Sequence, residues 1–356
     1  MIEDGGNGIQ LRPIEGDGGP EPSTWLGPGL VDLQVNGVHG VDFNDPNLSV
    51  EGLVHAAEYL RRRGVVQFYP TVITNTIEIT EQLLRTIAEA CSRLPHLRRV
   101  IPGIHLEGPF ISPEDGARGA HPRDCVCAPD VELFKRFQRA ANGAIRLVTL
   151  APEWETAIDF IRSCQDWSVV VALGHTLANS SRIHQAVEAG ARLSTHLGNG
   201  VPLMLPRHPN VIWDQLGEPD LWASFIADGH HLPESFLRAG LAAKGHNALL
   251  VSDATAFAGC KPGRYTAHIG GDVELLSDGR LCMAEDARFL AGAAQTLDQN
   301  VALLCAKGIL PFAEAWALAS TSPRRLMDLA PPPPEEWLLY EMAGSELEVR
   351  EVAKLL

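Results

Sequence analysis

Apolar residues along the chain fall into short runs that alternate with stretches of helical spacing. Val31–Asn36 is a β-like run, followed by a helical pattern over Val50–Arg63. Val65–Ile73 is the next run, and Ile79–Leu94 then carries Leu83, Leu84, Ile87 and Ala88 on one helical face. The alternation continues with strand Val100–Leu106 and helix Val131–Ala141, strand Ile145–Leu150 and helix Glu155–Cys164. Strand Val169–Leu173 precedes helix Ser180–Ala189, and strand Arg192–His196 precedes a Pro-rich loop. Leu221–Ala227 precedes helix Pro233–Lys244, and Ala248–Ser252 is the last buried run. Eight strands alternating with helices predict an α/β fold, a closed (β/α)8 barrel of the TIM type.

After Ser252 the texture changes. Turn signals at Gly270-Gly271 and Asp278-Gly279 predict hairpins within Gly263–Met283. Helical stretches are expected at Leu290–Lys307 and Phe312–Ser320, and Pro331–Pro334 reads as a stiff linker. The Gly- and Pro-rich segment Met1–Pro28 holds a few strand-like residues around Ile9–Ile14. The expected organisation is a barrel over 28–329 with a hairpin insertion near 260–285. Residues 1–27 and 331–356, together with that insertion, would form a small, reduced β-rich satellite.

Composition narrows the function. At 45% hydrophobic, the 356 residues bury a large core and are not disordered. The 29 basic and 44 acidic residues give a net charge of −15, which argues against a nucleic-acid or anionic-membrane partner. No apolar run is long enough to span a membrane, and no basic region with an apolar core suggests a signal peptide. The seven cysteines are odd in number and lack a CxxC pair, so a reducing cytoplasm is expected rather than a disulfide framework.

In such a barrel the active site lies where strands end. Asp32, Gln34 and Asn36 close the first strand, His105 and Glu107 the third, and His175 the fifth. His196 and Asn199 follow the sixth, Asp228, His230 and His231 the seventh, and Asp253 the eighth. Any one of these, taken alone, reads as a hydrogen-bonded core or loop residue. Delivered to one end of one barrel, they suggest a metal site. Imidazole and carboxylate donors suit a borderline divalent ion, Zn²⁺ first, with Fe²⁺, Co²⁺ or Mn²⁺ as alternatives. Glu107, His175 and His196 make the best trio, leaving Asp253 free as a base toward metal-activated water.

At these residues the sequence resembles the amidohydrolase superfamily and, within it, the N-acetylglucosamine-6-phosphate deacetylase family. The matching segments are Pro28-Gly-Leu-Val-Asp32, Gln34-Val-Asn-Gly37, His105-Leu-Glu-Gly-Pro-Phe110, Arg118-Gly-Ala-His121, Gly174-His-Thr176, Thr195-His-Leu197, Ile226-Ala-Asp-Gly229 and Val251-Ser-Asp-Ala254. They stand in family order, and HLEGPF is the most specific. Many amidohydrolases carry an HxH pair on the first strand for a second metal; Gln34 and Asn36 stand here instead. The resemblance therefore implies one metal ion, held by Glu107, His175 and His196.

It further implies that Asp253 is the catalytic proton acceptor and donor and that His121 polarises the acetyl carbonyl. Ala120, His121, Asn199, Gly200, Arg207, Asp228 and His231 would contact an N-acetyl amino sugar, with Arg207 on its phosphate, reaching across a homodimer interface. Two departures fall in the loop that would read sugar and phosphate, Gly198-Asn-Gly-Val201 and the His-Pro-Asn that follows Arg207. Another metal hydrolase, dihydroorotase-like or acting on N-acyl amino acids, and a non-catalytic binding barrel are the alternatives.

Overall fold

The computed structural model describes residues 11–13, 24–268 and 271–351. Strands β1 (Leu30–Val35), β2 (Val65–Ile73), β3 (Ile104–Glu107), β4 (Ile145–Leu150), β5 (Val170–Leu173), β6 (Ala191–Ser194), β7 (Trp222–Phe225) and β8 (Ala248–Leu250) form one eight-stranded sheet in sequential order. Every neighbouring pair in that sheet is parallel. Between and after them run α1 (Val50–Arg62), α2 (Ile77–Arg93), α3 (Val131–Ala140), α4 (Ala157–Gln165), α5 (Ser180–Ala189), α6 (Val211–Gly217), α7 (Glu234–Lys244) and α8 (Leu297–Ala306). This is the expected (β/α)8 barrel.

Local chemistry explains most boundaries. Ser49 caps α1 by accepting the Gly52 N–H, and Asp130 caps α3 by accepting from Glu132 and Leu133. The α2 face expected from spacing is the buried one, Leu83, Leu84, Ile87 and Ala88. Two expectations are corrected. The run from Val100 is not strand at its start: Pro95–Val100 is a short helix, and β3 begins only at Ile104, after Pro102 and Gly103. The helix expected from Leu290 begins at Leu297. Gly292 at φ 109° does not fit a helix, Leu290 and Ala293 make β-bridges, and a Thr296–Gln299 capping box sets the start.

Beside the barrel and a two-stranded ribbon, Gly37–Val38 with Val41–Asp42, lie two small sheets. Arg12–Pro13, Thr24–Pro28, Trp337–Ala343 and Glu346–Glu351 pair antiparallel in that order across the two ends of the chain. The meander Gly263–Ala267, Gly271–Leu275 and Leu281–Met283 forms its own sheet, with one further bridge from Cys282 to Leu290, and among the described residues does not join the terminal strands in one sheet. Of the strand-like N-terminal region, only Arg12–Pro13 is described as strand; Ile9 and Ile14 lie outside the described residues. Tyr340 donates its hydroxyl to the Pro28 carbonyl within the terminal sheet, and Arg324, on the helix Thr321–Leu326, donates to Gly29 O just before β1.

Candidate metal centre

Glu107 is the last residue of β3, and His175 and His196 each lie two residues beyond the ends of β5 and β6. The strands bring them to one end of the barrel, where all three are buried and their donor atoms lie within 4.8 Å of one another. Glu107 Oε1 is 3.2 Å from His175 Nε2 and 3.0 Å from His196 Nε2. His175 Nδ1 lies 2.8 Å from the Ala117 carbonyl, which can only accept, so Nδ1 carries a proton and a neutral ring would turn a bare Nε2 lone pair toward Glu107. Two acceptors at that distance need a cation between them. One carboxylate and two imidazoles, oriented from behind by a carbonyl, fit a catalytic divalent ion with an open coordination position.

The electrostatics agree. Burial opposes ionisation of Glu107, but the adjoining His175 and His196 rings hold its carboxyl well below the usual range. For His196 burial favours the neutral ring, yet the Glu107 carboxylate raises its pKa. His196 Nδ1 is buried and has no hydrogen-bond partner. Among the described residues this is the one cluster of three such donors.

Gln34 and Asn36, in place of an HxH pair, spend their amide N–H groups on carboxylates. Gln34 Nε2 donates to Glu107 Oε1 at 3.0 Å and Asn36 Nδ2 to Asp253 Oδ1 at 2.7 Å. Both amides thus face the carboxylates with their N–H groups. Asp253 follows β8, and burial, aided by the Glu107 charge, raises its carboxyl to about 6. His121 packs edge-on against His175 at 4.5 Å and bonds Thr74 Oγ1 through Nδ1 at 2.8 Å. Burial drops its pKa to about 3, so the ring is neutral.

The other expected residues divide. Gly200 lies against the His175 ring: a Cβ there would stand 2.9 Å from Nδ1. Asn199 is half-buried beside it and donates to His196 O. Asp228 is spent on its own loop, accepting N–H groups from His230 and His231 at 2.9 Å and the His231 ring at 2.7 Å. Burial opposes its ionisation, but those bonds bring its carboxyl down to about 2. His231 is thereby oriented, whereas half-buried His230 reaches the Asp278 carbonyl in the meander. Ala120 and Arg207 are exposed, and Arg207 makes no ion pair with a described residue. His105 stands a layer below the cluster, between Thr71 and Thr149, and burial lowers its pKa to about 4. It is an interior hydrogen-bonding residue rather than a ligand. The supporting roles of Thr74 and Ala117 had no sequence signal.

No family model matches the chain. It is 35% identical over 284 residues to the N-acetylglucosamine-6-phosphate deacetylase of Bacillus subtilis (strain 168), covering 76% of this chain and 70% of that protein. Identity to the Bos taurus enzyme of the same name is 32% over 312 residues, 85% and 75% of the two chains. The chain belongs to the N-acetylglucosamine-6-phosphate deacetylase family. It is thus an enzyme of the amidohydrolase superfamily, acting on an amide bond. An N-acetylgalactosamine-6-phosphate deacetylase of Escherichia coli O157:H7 is 31% identical over 318 residues, 89% and 82% of the two chains. Among solved structures, the family's enzyme from Pasteurella multocida superposes with a TM-score of 0.79 at 26% identity, covering 92% of this chain and 86% of that one. A mutant of the Mycobacterium smegmatis enzyme, in complex with N-acetyl-D-glucosamine-6-phosphate, shares the fold with a TM-score of 0.80 at 24% identity, covering 95% and 92%.

Proposed function

We propose that the protein hydrolyses the acetamide of N-acetylglucosamine 6-phosphate, giving glucosamine 6-phosphate and acetate. The observation that carries this reading is Asp253: half-buried, fixed by Asn36, and with its carboxyl raised by burial and by the charge of Glu107 in the Glu107–His175–His196 cluster. Zinc is the ion we assign to that cluster, since two His and one Glu are a familiar catalytic zinc set. Bound there, it would supply Lewis acidity and lower the pKa of water at its open position. Asp253 takes the proton of the attacking water and returns it to the amine as the C–N bond breaks. With the Thr74 hydroxyl donating to Nδ1, neutral His121 keeps an Nε2–H to donate to the acetyl oxygen as charge builds there. His231, oriented by Asp228, Ala120, Asn199 and Gly200 bind the sugar.

Arg207 is assigned to the phosphate, supplied to a neighbouring subunit of a homodimer. Exposed Leu203 and Met204 on the same loop support that arrangement. Residues 28–329 would be the hydrolase unit and the paired termini its satellite. The reaction is placed in the cytoplasm, consistent with seven unpaired cysteines and no described helix long and apolar enough to cross a membrane. A second reading, the galactosamine epimer, is favoured by the E. coli relative and by the altered Gly198–Val201 loop.

Acetate release from the zinc-loaded enzyme, with N-acetylglucosamine 6-phosphate, its galactosamine epimer and unphosphorylated N-acetylglucosamine as substrates, tests the assignment. The first should be turned over fastest, and Asp253→Asn should lower kcat on the order of 10³-fold while keeping equimolar metal. Faster turnover of the epimer would favour the second reading; no acetate from any of the three would overturn both.

A further inference from the structure

The barrel has a seam. Seven neighbouring strand pairs are joined by parallel ladders, but β8 and β1 are not. What joins them lies at and beyond the end of β8. Val251 N–H still donates to Phe225 O on β7, whereas Ser252 N–H turns to β1 and donates to the Asp32 side chain, Oδ1, at 3.1 Å. The next residue, Asp253, also sends its N–H to β1, to Gln34 O at 3.0 Å. A regular strand cannot point two consecutive N–H groups at the same neighbour, because successive groups alternate sides. The chain therefore leaves strand geometry here, and Asp253 sits at φ 50°, a conformation most side chains avoid.

Asp32 occupies the gap. Its side chain is fully buried, and the same Oδ1 also accepts Gln34 N–H at 3.3 Å, while Oδ2 has no hydrogen-bond partner. The Ser252 hydroxyl, 3.4 Å from Gln34 O, and a bridge between Val35 and Ala254 complete the junction. One carboxylate oxygen thus holds the backbone just before Asp253 and the backbone of Gln34, whose amide donates to Glu107.

We propose that Asp32 is a positioning residue for the proton acceptor. By standing in for the missing backbone acceptor at the seam, it fixes the turn that aims Asp253 and the register of Gln34 behind Glu107. The inference rests on the hydrolytic reading above. It requires a hydrogen-bond acceptor at Oδ1, not a negative charge, so asparagine should serve where alanine fails.

The test compares Asp32→Ala and Asp32→Asn in the full-length zinc-loaded enzyme, with folding and metal content measured for each. Asp32→Ala should lower kcat about 100-fold with KM within about three-fold of wild type, and Asp32→Asn should recover most of the loss. Amide exchange should accelerate at Ser252 and Gln34 in Asp32→Ala and stay slow in Asp32→Asn. If the alanine variant does not fold, Asp32→Ser, whose shorter side chain cannot reach Ser252 N, takes its place with the same expectation. Retained kcat, a loss confined to KM, an asparagine variant as impaired as alanine, or unchanged exchange at Ser252 would each overturn the inference. Wild-type enzyme inactive on every substrate would defeat the functional reading alone, because the exchange comparison needs no turnover.

Discussion

Three of the four residues that gather at the barrel mouth adopt a left-handed backbone conformation: His175 at φ 49°, His196 at φ 30° and Asp253 at φ 50°. For residues with a Cβ each such conformation costs on the order of 1 kcal/mol, so the surrounding hydrogen bonds must hold it. Asp32 is the clearest support and carries its own cost, since burial raises its carboxyl from 3.8 to about 7. The folded state therefore keeps a proton that the unfolded chain releases. Stability falls as pH rises from about 4 to about 7 and is level beyond, by up to about 4 kcal/mol. Asp32→Asn should remove that dependence. In urea melts at pH 5 and pH 8 the variant should gain on wild type at the higher pH; a gap independent of pH would contradict the account. The acids and imidazoles of the site were legible from residue type and strand-end position. Their partners, the Ala117 carbonyl and the Thr74 hydroxyl, were not, because those contacts cross loops and strands far apart in sequence.

The loops after the strands do the positioning. Residues 198–200 follow β6 and fold over the His175 ring, with Gly198 at φ 99° and Gly200 at φ 61°. Gly200→Ala would both strain the backbone and push a methyl onto Nδ1, the nitrogen that bonds Ala117. Zinc affinity measured by chelator competition should fall about ten-fold, as for other losses of support behind a metal ligand, with the barrel still folded. An unchanged affinity would mean that the loop yields without moving the ring. Element positions were readable where the pattern was amphipathic, as in α2. They were misread where one residue overrides the pattern: Pro102 and Gly103 delay β3, and Gly292 delays α8.

Across the whole molecule, the surface holds two side chains out of keeping with burial elsewhere. Leu203 and Met204 are 89% and 86% exposed, on the loop that carries Arg207. In the proposed homodimer, replacing both with Asp should shift the sedimenting species from dimer toward monomer and raise KM for the phosphorylated substrate, because each site would lose the Arg207 assigned to it from its neighbour. A double variant that stays dimeric would separate this loop from the interface. With 44 acidic against 29 basic residues, the overall field repels a phosphorylated sugar, so the proposed phosphate binding would rest on local cations, Arg207 and the ion assigned to the cluster. The sequence by itself determined the barrel, its eight units, the chemistry of its mouth and the family. Periodicity and residue type are local, and short motifs in order carry the rest. Only the tertiary structure decided that Gln34 and Asn36 serve as donors to carboxylates, that Asp228 orients His231, and that a buried carboxylate closes the ring of strands. Apart from the Asp228–His231 pair, three residues apart, each depends on atoms brought together from distant parts of the chain, as Asp32 and Ser252 are, and no spacing within a sequence encodes such a distance.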